Sequence, residues 1–172
     1  EEQINQLNKV KNNARHLLDL INDILDISKI EADRVELSLE EFSLNKLVNE
    51  IIEIIHPKSE EKKLIVNAIT NQDITVKTDM RRLKQVVLNL VANAVNYTEK
   101  GKVEILTETL QGEKLKLTVK DSGIGISIDE MKRLFQPFQQ IDSTLTKKNK
   151  GTGLGLYLSK KIMHLLGGEI FV

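Results

Sequence analysis

The 172-residue sequence contains no cysteine, no tryptophan, two prolines and few aromatic residues. The absence of cysteine excludes disulfide bonds, thiolate zinc sites and cysteine nucleophiles, and it fits a reducing compartment. No apolar run reaches the roughly 18 residues that a membrane-spanning helix needs, and no signal-peptide pattern is present. We therefore expect a cytoplasmic segment without membrane contact, whose parent protein could still be anchored in a membrane.

The charge balance also argues against some partners. Lysine plus arginine number 25 and aspartate plus glutamate number 25, so the formal net charge is zero. A nucleic-acid binder would carry an excess of basic residues, so we expect no nucleic-acid partner. The chain opens at Glu1 and stops at Val172 shortly after a new apolar segment begins, so we expect a fragment with a truncated C-terminal strand.

The first 34 residues are interpreted as a separate unit, a long helix and its linker. The helical stripe is wider than the seam of a two-stranded coiled coil, which favours burial in a bundle with partners outside the chain. The alternative is a helix that folds back on its own domain. The apolar residues spaced three and four apart are Ile4, Leu7, Ala14, Leu18, Ile21 and Leu25, with Lys11 interrupting, and Val10, Leu17 and Ile24 widen the stripe.

Residues 35–172 are interpreted as one α/β sandwich, a mixed sheet of about five strands with three helices on one face. Ser43, Asp79 and Ser127 are predicted helix caps, the last in a capping box with Glu130. The predicted strands are 35–39, 63–69, 74–77, 102–109 and 114–120, the last two forming a hairpin that turns near Gln111-Gly112. The predicted helices run from Ser43 to about His56-Pro57, from Met80 to about Tyr97, from Ser127 to around Phe138, and from the 151–155 glycines to Gly167-Gly168.

Three groups of residues carry the candidate chemistry. Asn89 and Asn93 are four apart, so both amides lie on one helical face within an apolar run; the alternative is a structural pair that caps neighbouring backbone. Asp121-Ser-Gly-Ile-Gly follows a strand and offers a carboxylate beside exposed backbone, unless it is only an Asp-Gly turn. Gly151-Thr-Gly-Leu-Gly-Leu opens a helix, where unhindered amides suit phosphate oxygens, unless it is only a hinge. Neither the Walker nor the dinucleotide spacing of glycines is present.

Together these motifs resemble the histidine-kinase branch of the ATPase superfamily shared with gyrase, heat-shock 90 chaperones and MutL proteins. The stretch Gln85-Val-Val-Leu-Asn-Leu-Val-Ala-Asn-Ala-Val-Asn-Tyr-Thr is similar to the N box of sensor histidine kinases. Asp121-Ser-Gly-Ile-Gly resembles the first glycine box, Leu134-Phe-Gln-Pro-Phe the F box, and Gly151-Thr-Gly-Leu-Gly-Leu the second glycine box. The stretch from Asp19 to Asp33 resembles the end of the dimerisation hairpin and its link to the kinase domain.

The resemblance implies a nucleotide site for ATP and Mg²⁺. It implies that Asn93 coordinates the magnesium ion on the triphosphate and is the catalytic residue, that Asn89 contacts phosphate, and that Asp121 accepts the adenine amino hydrogen. Tyr97 would pack on the base, and residues 139–150 would form the ATP lid. The full implied set of nucleotide-binding residues is Asn89, Asn93, Asn96, Tyr97, Asp121, Gly123, Ile124, Gly125, Phe138, Lys148, Gly151, Thr152, Gly153, Leu154, Gly155 and Leu156.

Two positions depart from the family pattern. Asn96 stands where the family usually has lysine, and Lys150 stands where it usually has glycine. Lys147, Lys148 or Lys150 could supply the missing charge. None of His16, His56 and His164 forms a metal-ligand pair, and all three are interpreted as structural.

The resemblance implies a protein-histidine kinase (a transferase) in two-component signal transduction, which moves the γ-phosphate of ATP to a histidine. The acceptor motif of the first hairpin helix is absent, so we expect no autophosphorylation by this chain alone. The implied partners are a second copy through the N-terminal helix and the receiver domain of a response regulator in a phosphorelay. The alternatives are an ATP-driven clamp, or a degenerate dimerisation module of the same fold.

Overall fold

The computed structural model describes residues 2–70, 72–111, 114–140 and 151–172. Within these ranges the helices are α1 (Glu2–Glu31), α2 (Leu44–Glu61), α3 (Met80–Tyr97), α4 (Ile128–Met131) and α5 (Gly155–Leu165). The strands are β1 (Glu40–Ser43), β2 (Ile65–Thr70), β3 (Thr75–Thr78), β4 (Lys102–Thr109) and β5 (Leu115–Asp121). None of the helices in this part of the chain is both long and apolar enough to cross a membrane.

The five strands form a mixed arrangement, as predicted, but they divide into two sheets. Strands β1 and β3 pair antiparallel, while β2 pairs parallel with β4 and β4 pairs antiparallel with β5. The hairpin of β4 and β5 confirms the alternating pattern read from 102–120, although Gly112 at its predicted turn lies outside the described residues. The fold is an α/β sandwich that is preceded in the chain by the long helix α1.

The prediction of a strand at 35–39 is wrong. This segment has no regular structure, and the first strand is β1, which begins at Glu40. The backbone N–H of Ser38 donates to Asp79 Oδ2 at 3.0 Å, so the carboxylate that caps α3 binds this segment. A side-chain acceptor therefore takes the N–H group that a sheet ladder would otherwise use.

Two predicted helix ends also need correction. Helix α2 continues through Pro57 to Glu61, because proline removes only the bond to the carbonyl of Glu53, and both residues are solvent-exposed. Helix α4 ends at Met131 and does not reach Phe138. After Met131 the backbone forms turns with hydrogen bonds between residues three apart, such as the bond from the Gln136 N–H to the Arg133 carbonyl. Pro137 disfavours the helical conformation at the residue before it, Gln136.

The main core lies between the sheets and the inner faces of α2 and α3. Helix α3 contributes Val87, Val91 and Val95, which are at most 2% exposed, and β4 contributes Val103 and Ile105, which are fully buried. Because these apolar positions occupy one face of α3, its opposite face is left for polar residues. That division places the asparagines of the N box at the surface of the sandwich.

A smaller apolar cluster joins α1 and α5 to α3. Val86 of α3 and Leu158 and Ile162 of α5 are buried, and Ile27 and Ile30 from the end of α1 pack against them. Farther towards the N-terminus the apolar side chains of α1 are exposed. Those of Ile4, Leu7, Val10, Leu17, Leu18, Ile21, Ile24 and Leu25 are between 45% and 68% exposed.

Candidate functional site

Helix α3 carries the central residues of the candidate site, and it begins directly after its N-cap residue, Asp79. The Asp79 side chain accepts from the Arg82 backbone N–H at 2.9 Å, which satisfies one of the free donors of the first turn. Desolvation would raise the pKa of Asp79, but hydrogen bonds from the Arg82 and Ser38 backbones and nearby arginine charges outweigh it and lower the pKa. The carboxylate therefore stays ionised as a cap.

Three predicted site residues form a row on the surface of α3. Asn89, Asn93 and Tyr97 are each four residues apart, so they lie on one face over eight residues, about 12 Å of helix. All three side chains are half-buried, although the two amides stand within an apolar run of the sequence. Burial raises the pKa of the Tyr97 hydroxyl, so it remains protonated at neutral pH.

The first end of the row meets the second glycine box. Asn89 Nδ2 donates to Ser159 Oγ of α5 at 2.9 Å, and Ser159 is 2% exposed. A Cβ added at Gly155 would lie 2.5 Å from Asn89 Oδ1, so only glycine permits this approach. The amide of Asn89 is therefore used to hold α5 against α3, in line with the structural alternative for this residue.

The other end of the row meets the first glycine box. The backbone N–H of Ile124 donates to the Tyr97 carbonyl at 3.4 Å. A Cβ added at Gly123 would lie 2.5 Å from the same carbonyl oxygen, so a larger residue would push the loop away from α3. Asp121 Oδ1 accepts from the Gly123 N–H at 2.8 Å, which is the turn considered as the alternative. The side chain of Asp121 is exposed, and one oxygen remains for a ligand.

The middle of the row is Asn93. Its side chain makes no hydrogen bond to any residue in the described ranges, in contrast to Asn89. A half-buried amide that the fold does not use can serve a ligand. Asn96, one turn from Asn93 on a neighbouring face, is also half-buried.

The second glycine box is connected to the F box and to α1. The Phe138 backbone N–H donates to the Gly153 carbonyl at 3.0 Å, and the Phe138 side chain is 65% exposed. Thr152 Oγ1 donates to Asp23 Oδ2 at 3.4 Å and accepts from the Leu154 N–H at 3.1 Å. The Leu154 side chain is 1% exposed, so only its backbone can face a ligand.

The remaining predicted residues are distributed as follows. Ile124 and Gly125 are exposed in the loop after β5, Gly151 is exposed before α5, and Leu156 is half-buried in its first turn. Lys148, Lys147, Lys150 and most of the predicted lid lie outside the described residues.

The sequence left open a helix that folds back on its own domain, but it did not identify which residues of α1 contact the rest of the chain. We call the following three pairs the docking contacts: Asp23 with Thr152, Asp26 with Arg82, and Glu31 with Tyr157. Asp26 also accepts from Gln85, at 3.1 Å. No local pattern signals such contacts, because their partners are 56 to 129 residues apart in the chain.

The docking contacts shift the pKa values of two aspartates in opposite directions. Desolvation raises the pKa of Asp23, and repulsion from Asp19 and Asp26 adds to it, against the hydrogen bond from Thr152. For Asp26 desolvation acts in the same direction, but hydrogen bonds from Arg82 and Gln85 and the charge of Arg82 outweigh it and lower the pKa. Asp26 is therefore the charged partner that favours docking at neutral pH.

Known proteins are similar to this chain in both sequence and fold. Residues 78–172 match the family described as histidine kinase-, DNA gyrase B-, and HSP90-like ATPase. The chain is 39% identical over 172 residues to hybrid signal transduction histidine kinase B of Dictyostelium discoideum, covering 96% of the chain but only 9% of that relative. The chain therefore spans a small part of the length of this relative.

Solved structures agree with this assignment. Full-length ShkA in complex with AMPPNP matches with a TM-score of 0.84 and 29% identity, over 97% of this chain and 35% of that one. Histidine kinase ThkA in complex with response regulator protein TrrA matches with a TM-score of 0.76 and 30% identity, over 96% of this chain and 46% of that one. The chain belongs to the histidine kinase-, DNA gyrase B- and HSP90-like ATPase family, and its relatives place it with the catalytic ATP-binding domains of sensor histidine kinases.

Proposed function

We propose that this chain binds ATP with Mg²⁺ and transfers the γ-phosphate to a histidine on a segment absent from this sequence. The row Asn89, Asn93 and Tyr97 carries the proposal, because its two ends contact the two glycine boxes. A nucleotide lying along the row would have its phosphates at the Gly155 end and its base at the Gly123 end. The ATPase family and the AMPPNP complex of ShkA support the same ligand.

The phosphate end has the features of an anion site. The N-cap position of α5 is Leu154, whose side chain cannot accept hydrogen bonds, and no acidic residue lies in the first turn. The positive end of this helix and its first N–H groups are therefore suited to phosphate oxygens. Thr152, Gly153 and Gly155 would allow the backbone to approach them.

Asn93 is the residue that would hold the magnesium ion on the triphosphate. Its amide oxygen is a hard ligand of the kind that Mg²⁺ takes, and no side-chain hydrogen bond within the described ranges engages it. A single protein ligand suits an ion that is bound mainly by phosphates and water. When bound, the ion would neutralise phosphate charge.

At the base end, Asp121 would select adenine. Its free carboxylate oxygen can accept the exocyclic amino hydrogen of adenine, whereas the carbonyl of guanine at that place offers no hydrogen. The Tyr97 side chain, fixed at the end of α3, would pack on the base. The bound γ-phosphate is then presented to an incoming imidazole nitrogen, so that catalysis rests mainly on positioning and charge neutralisation.

The apolar stripe of α1 is the proposed dimer contact. Its side chains from Ile4 to Leu25 are about half-exposed or more, and a second copy of the helix would bury them in a bundle. A response regulator receiver domain is the proposed recipient of the phosphate, as the ThkA and TrrA complex suggests for this family. Residues 1–34 and 35–172 would then act as dimerisation and catalytic units.

Isothermal titration calorimetry with ATP, in the presence and absence of Mg²⁺, tests this proposal. We expect Asn93→Ala to abolish most of the magnesium-dependent gain in affinity and to change magnesium-free binding little. We expect Asp121→Asn to lose adenine discrimination, because the Gly123 N–H would hold the amide oxygen and the amide NH₂, a donor, would face the donor of the base. Equal losses for Asn93→Ala with and without metal, or normal ATP binding by Asp121→Asn, would contradict the assignments.

A further inference from the structure

The last four carbonyls of a helix have no hydrogen-bond partner within the helix. Those at the C-terminal end of α3 therefore need donors from elsewhere. The Ala94 carbonyl accepts from the Thr98 N–H at 3.0 Å and from Thr98 Oγ1 at 2.7 Å. The Tyr97 carbonyl accepts from the Ile124 N–H, which belongs to the first glycine box. Two carbonyls of the last turn, those of Val95 and Asn96, are left to other donors.

A lysine from outside the helix binds both of them. Lys62 Nζ donates to the Val95 carbonyl at 2.7 Å, to the Asn96 carbonyl at 2.7 Å and to the Thr98 carbonyl at 3.2 Å. An ammonium group has three donors, and these three carbonyls can take all of them. Its positive charge also lies at the negative end of the helix dipole, which strengthens the contact.

The turn between α2 and β2 fixes the position of Lys62. Its backbone N–H donates to the carbonyls of Lys58 and Glu60, and Lys63 follows with a φ of 56°. The Leu64 N–H donates to the Ser59 carbonyl at 2.9 Å, and the Leu64 side chain is 7% exposed in the core. The lysine is thus half-buried on a rigid turn, which makes it a defined support for the end of α3.

This support acts on the part of the site that would receive the base. Tyr97 lies between the Asn96 and Thr98 carbonyls that Lys62 binds, and its own carbonyl contacts Gly123 and Ile124. If the last turn of α3 frays, the Tyr97 ring loses its fixed position. The loop after β5 shifts with it, and the Gly123 N–H of that loop orients the Asp121 carboxylate at the end of the strand. In the row of Asn89, Asn93 and Tyr97, only the Tyr97 end would then shift.

We propose that Lys62 is a positioning residue for adenine recognition, acting through the last turn of α3 without touching the nucleotide. This inference rests on the proposed function, since it concerns the base end of the proposed ATP site. A purely structural role would make Lys62 variants less stable but would leave the choice between purines unchanged. Adenine selectivity therefore separates the two roles.

The experiment compares Lys62→Met, Lys62→Gln and Lys62→Arg with the matched control Lys84→Met. Lys84 also joins α2 to α3, through a 2.7 Å salt bridge with Glu50, but it makes no contact with the end of α3. Calorimetry at low temperature, on samples shown to be folded by circular dichroism, gives the dissociation constants for Mg-ATP and Mg-GTP. We expect Lys62→Met to weaken ATP about tenfold, to weaken GTP less and so to reduce the ratio, as loss of charged hydrogen bonds at one end of the site would do.

We expect Lys62→Arg to retain most of the selectivity, Lys62→Gln to be intermediate and Lys84→Met to match the wild type. If Lys62→Met does not fold, the Arg and Gln variants decide: Gln must be less selective than Arg. Wild-type selectivity in a folded Lys62→Met protein, or equal selectivity of Gln and Arg, would overturn the inference. Failure of the wild type to bind Mg-ATP would instead overturn the proposed function.

Discussion

The core of the catalytic unit and the interface that joins α1 to it are built from different contacts. Within the described residues, the core contains twelve buried apolar residues from α2, α3, β4 and the turn before β2, whereas the cluster at α1 contains three. The interface adds the polar docking contacts, most of whose residues are partly exposed to solvent. Burial of apolar area dominates stability, while exposed charge pairs contribute little. We therefore expect residues 35–172 to be held together more strongly than they are attached to α1, where Arg82 is the buried side chain among the docking contacts.

This difference suits the proposed function, in which the ATP-binding unit has to reach an acceptor on another helix. Asp23 contacts Thr152 in the second glycine box, so the interface touches the phosphate end of the proposed site. A weak interface allows the unit to leave α1 without unfolding.

The largest effect is expected for a core truncation on α2. Ile51 is fully buried, so Ile51→Ala should reduce the free energy of unfolding by about 2–5 kcal/mol. Ile54 lies on the same helix and is 51% exposed, so Ile54→Ala should change it by less than about 0.5 kcal/mol. Urea denaturation of both variants measures this. Equal losses would mean that the main core is not where stability resides.

An intermediate effect is expected at Asp26. Asp26→Asn removes the charge that faces Arg82, whose side chain is 7% exposed, at a contact of 3.0 Å. We expect a loss of about 1 kcal/mol, confined to the attachment of α1. Amide hydrogen exchange should therefore accelerate in residues 19–31 and stay unchanged in α2. Faster exchange throughout the core would show that the two regions unfold together.

The pH dependence of the same contact follows from the lowered pKa of Asp26. A carboxylate with a lowered pKa stabilises the docked state above its ordinary pKa, 3.8, and this stabilisation disappears as the pH falls through the lowered value. The protection factors of amides in α1, which correct for the pH dependence of intrinsic exchange, should thus fall on acidification in the wild type. This part of the decrease should be absent from Asp26→Asn.

The smallest effect is expected at the more exposed end of the interface, where the Glu31 side chain is 50% exposed. Tyr157→Phe removes the 3.0 Å hydrogen bond from the tyrosine hydroxyl to Glu31, but Lys161 still pairs with that carboxylate at 3.2 Å. We expect no resolvable change in the thermal midpoint or in the exchange of α1. A change as large as that of Asp26→Asn would contradict the ranking of the docking contacts.

The sequence predicts what depends on local pattern. The bounds of α3 and its cap at Asp79 are confirmed, because apolar spacing and an acceptor side chain before the first turn are both local. The strand predicted at 35–39 is wrong because alternation alone cannot show whether a pairing partner exists. The contacts of Lys62 could not be predicted, since its partners are backbone carbonyls 33 to 36 residues away. Every residue type has a backbone carbonyl, so the sequence does not indicate which of them a lysine binds.

Within the site, the sequence gives the residue types but not the state of each side chain. Asn89 and Asn93 are equivalent by spacing, yet Asn89 is bound to Ser159 and Asn93 is available to a ligand. That distinction depends on how α5 packs on α3, which is a tertiary property. The assignments of Asn93 to Mg²⁺ and Asp121 to adenine stay predictions until binding is measured.

The most direct test of the kinase assignment is phosphate transfer from γ-labelled ATP. The chain is incubated with Mg²⁺, alone and with a separately supplied helix whose histidine is followed by an acidic residue. His16 is followed by Leu17 and Leu18, so no acid directly beside it can take the imidazole proton. We expect acid-labile label on the supplied helix and none on the chain alone. Label on the isolated chain that disappears in His16→Gln would contradict the claim that the acceptor lies outside this sequence.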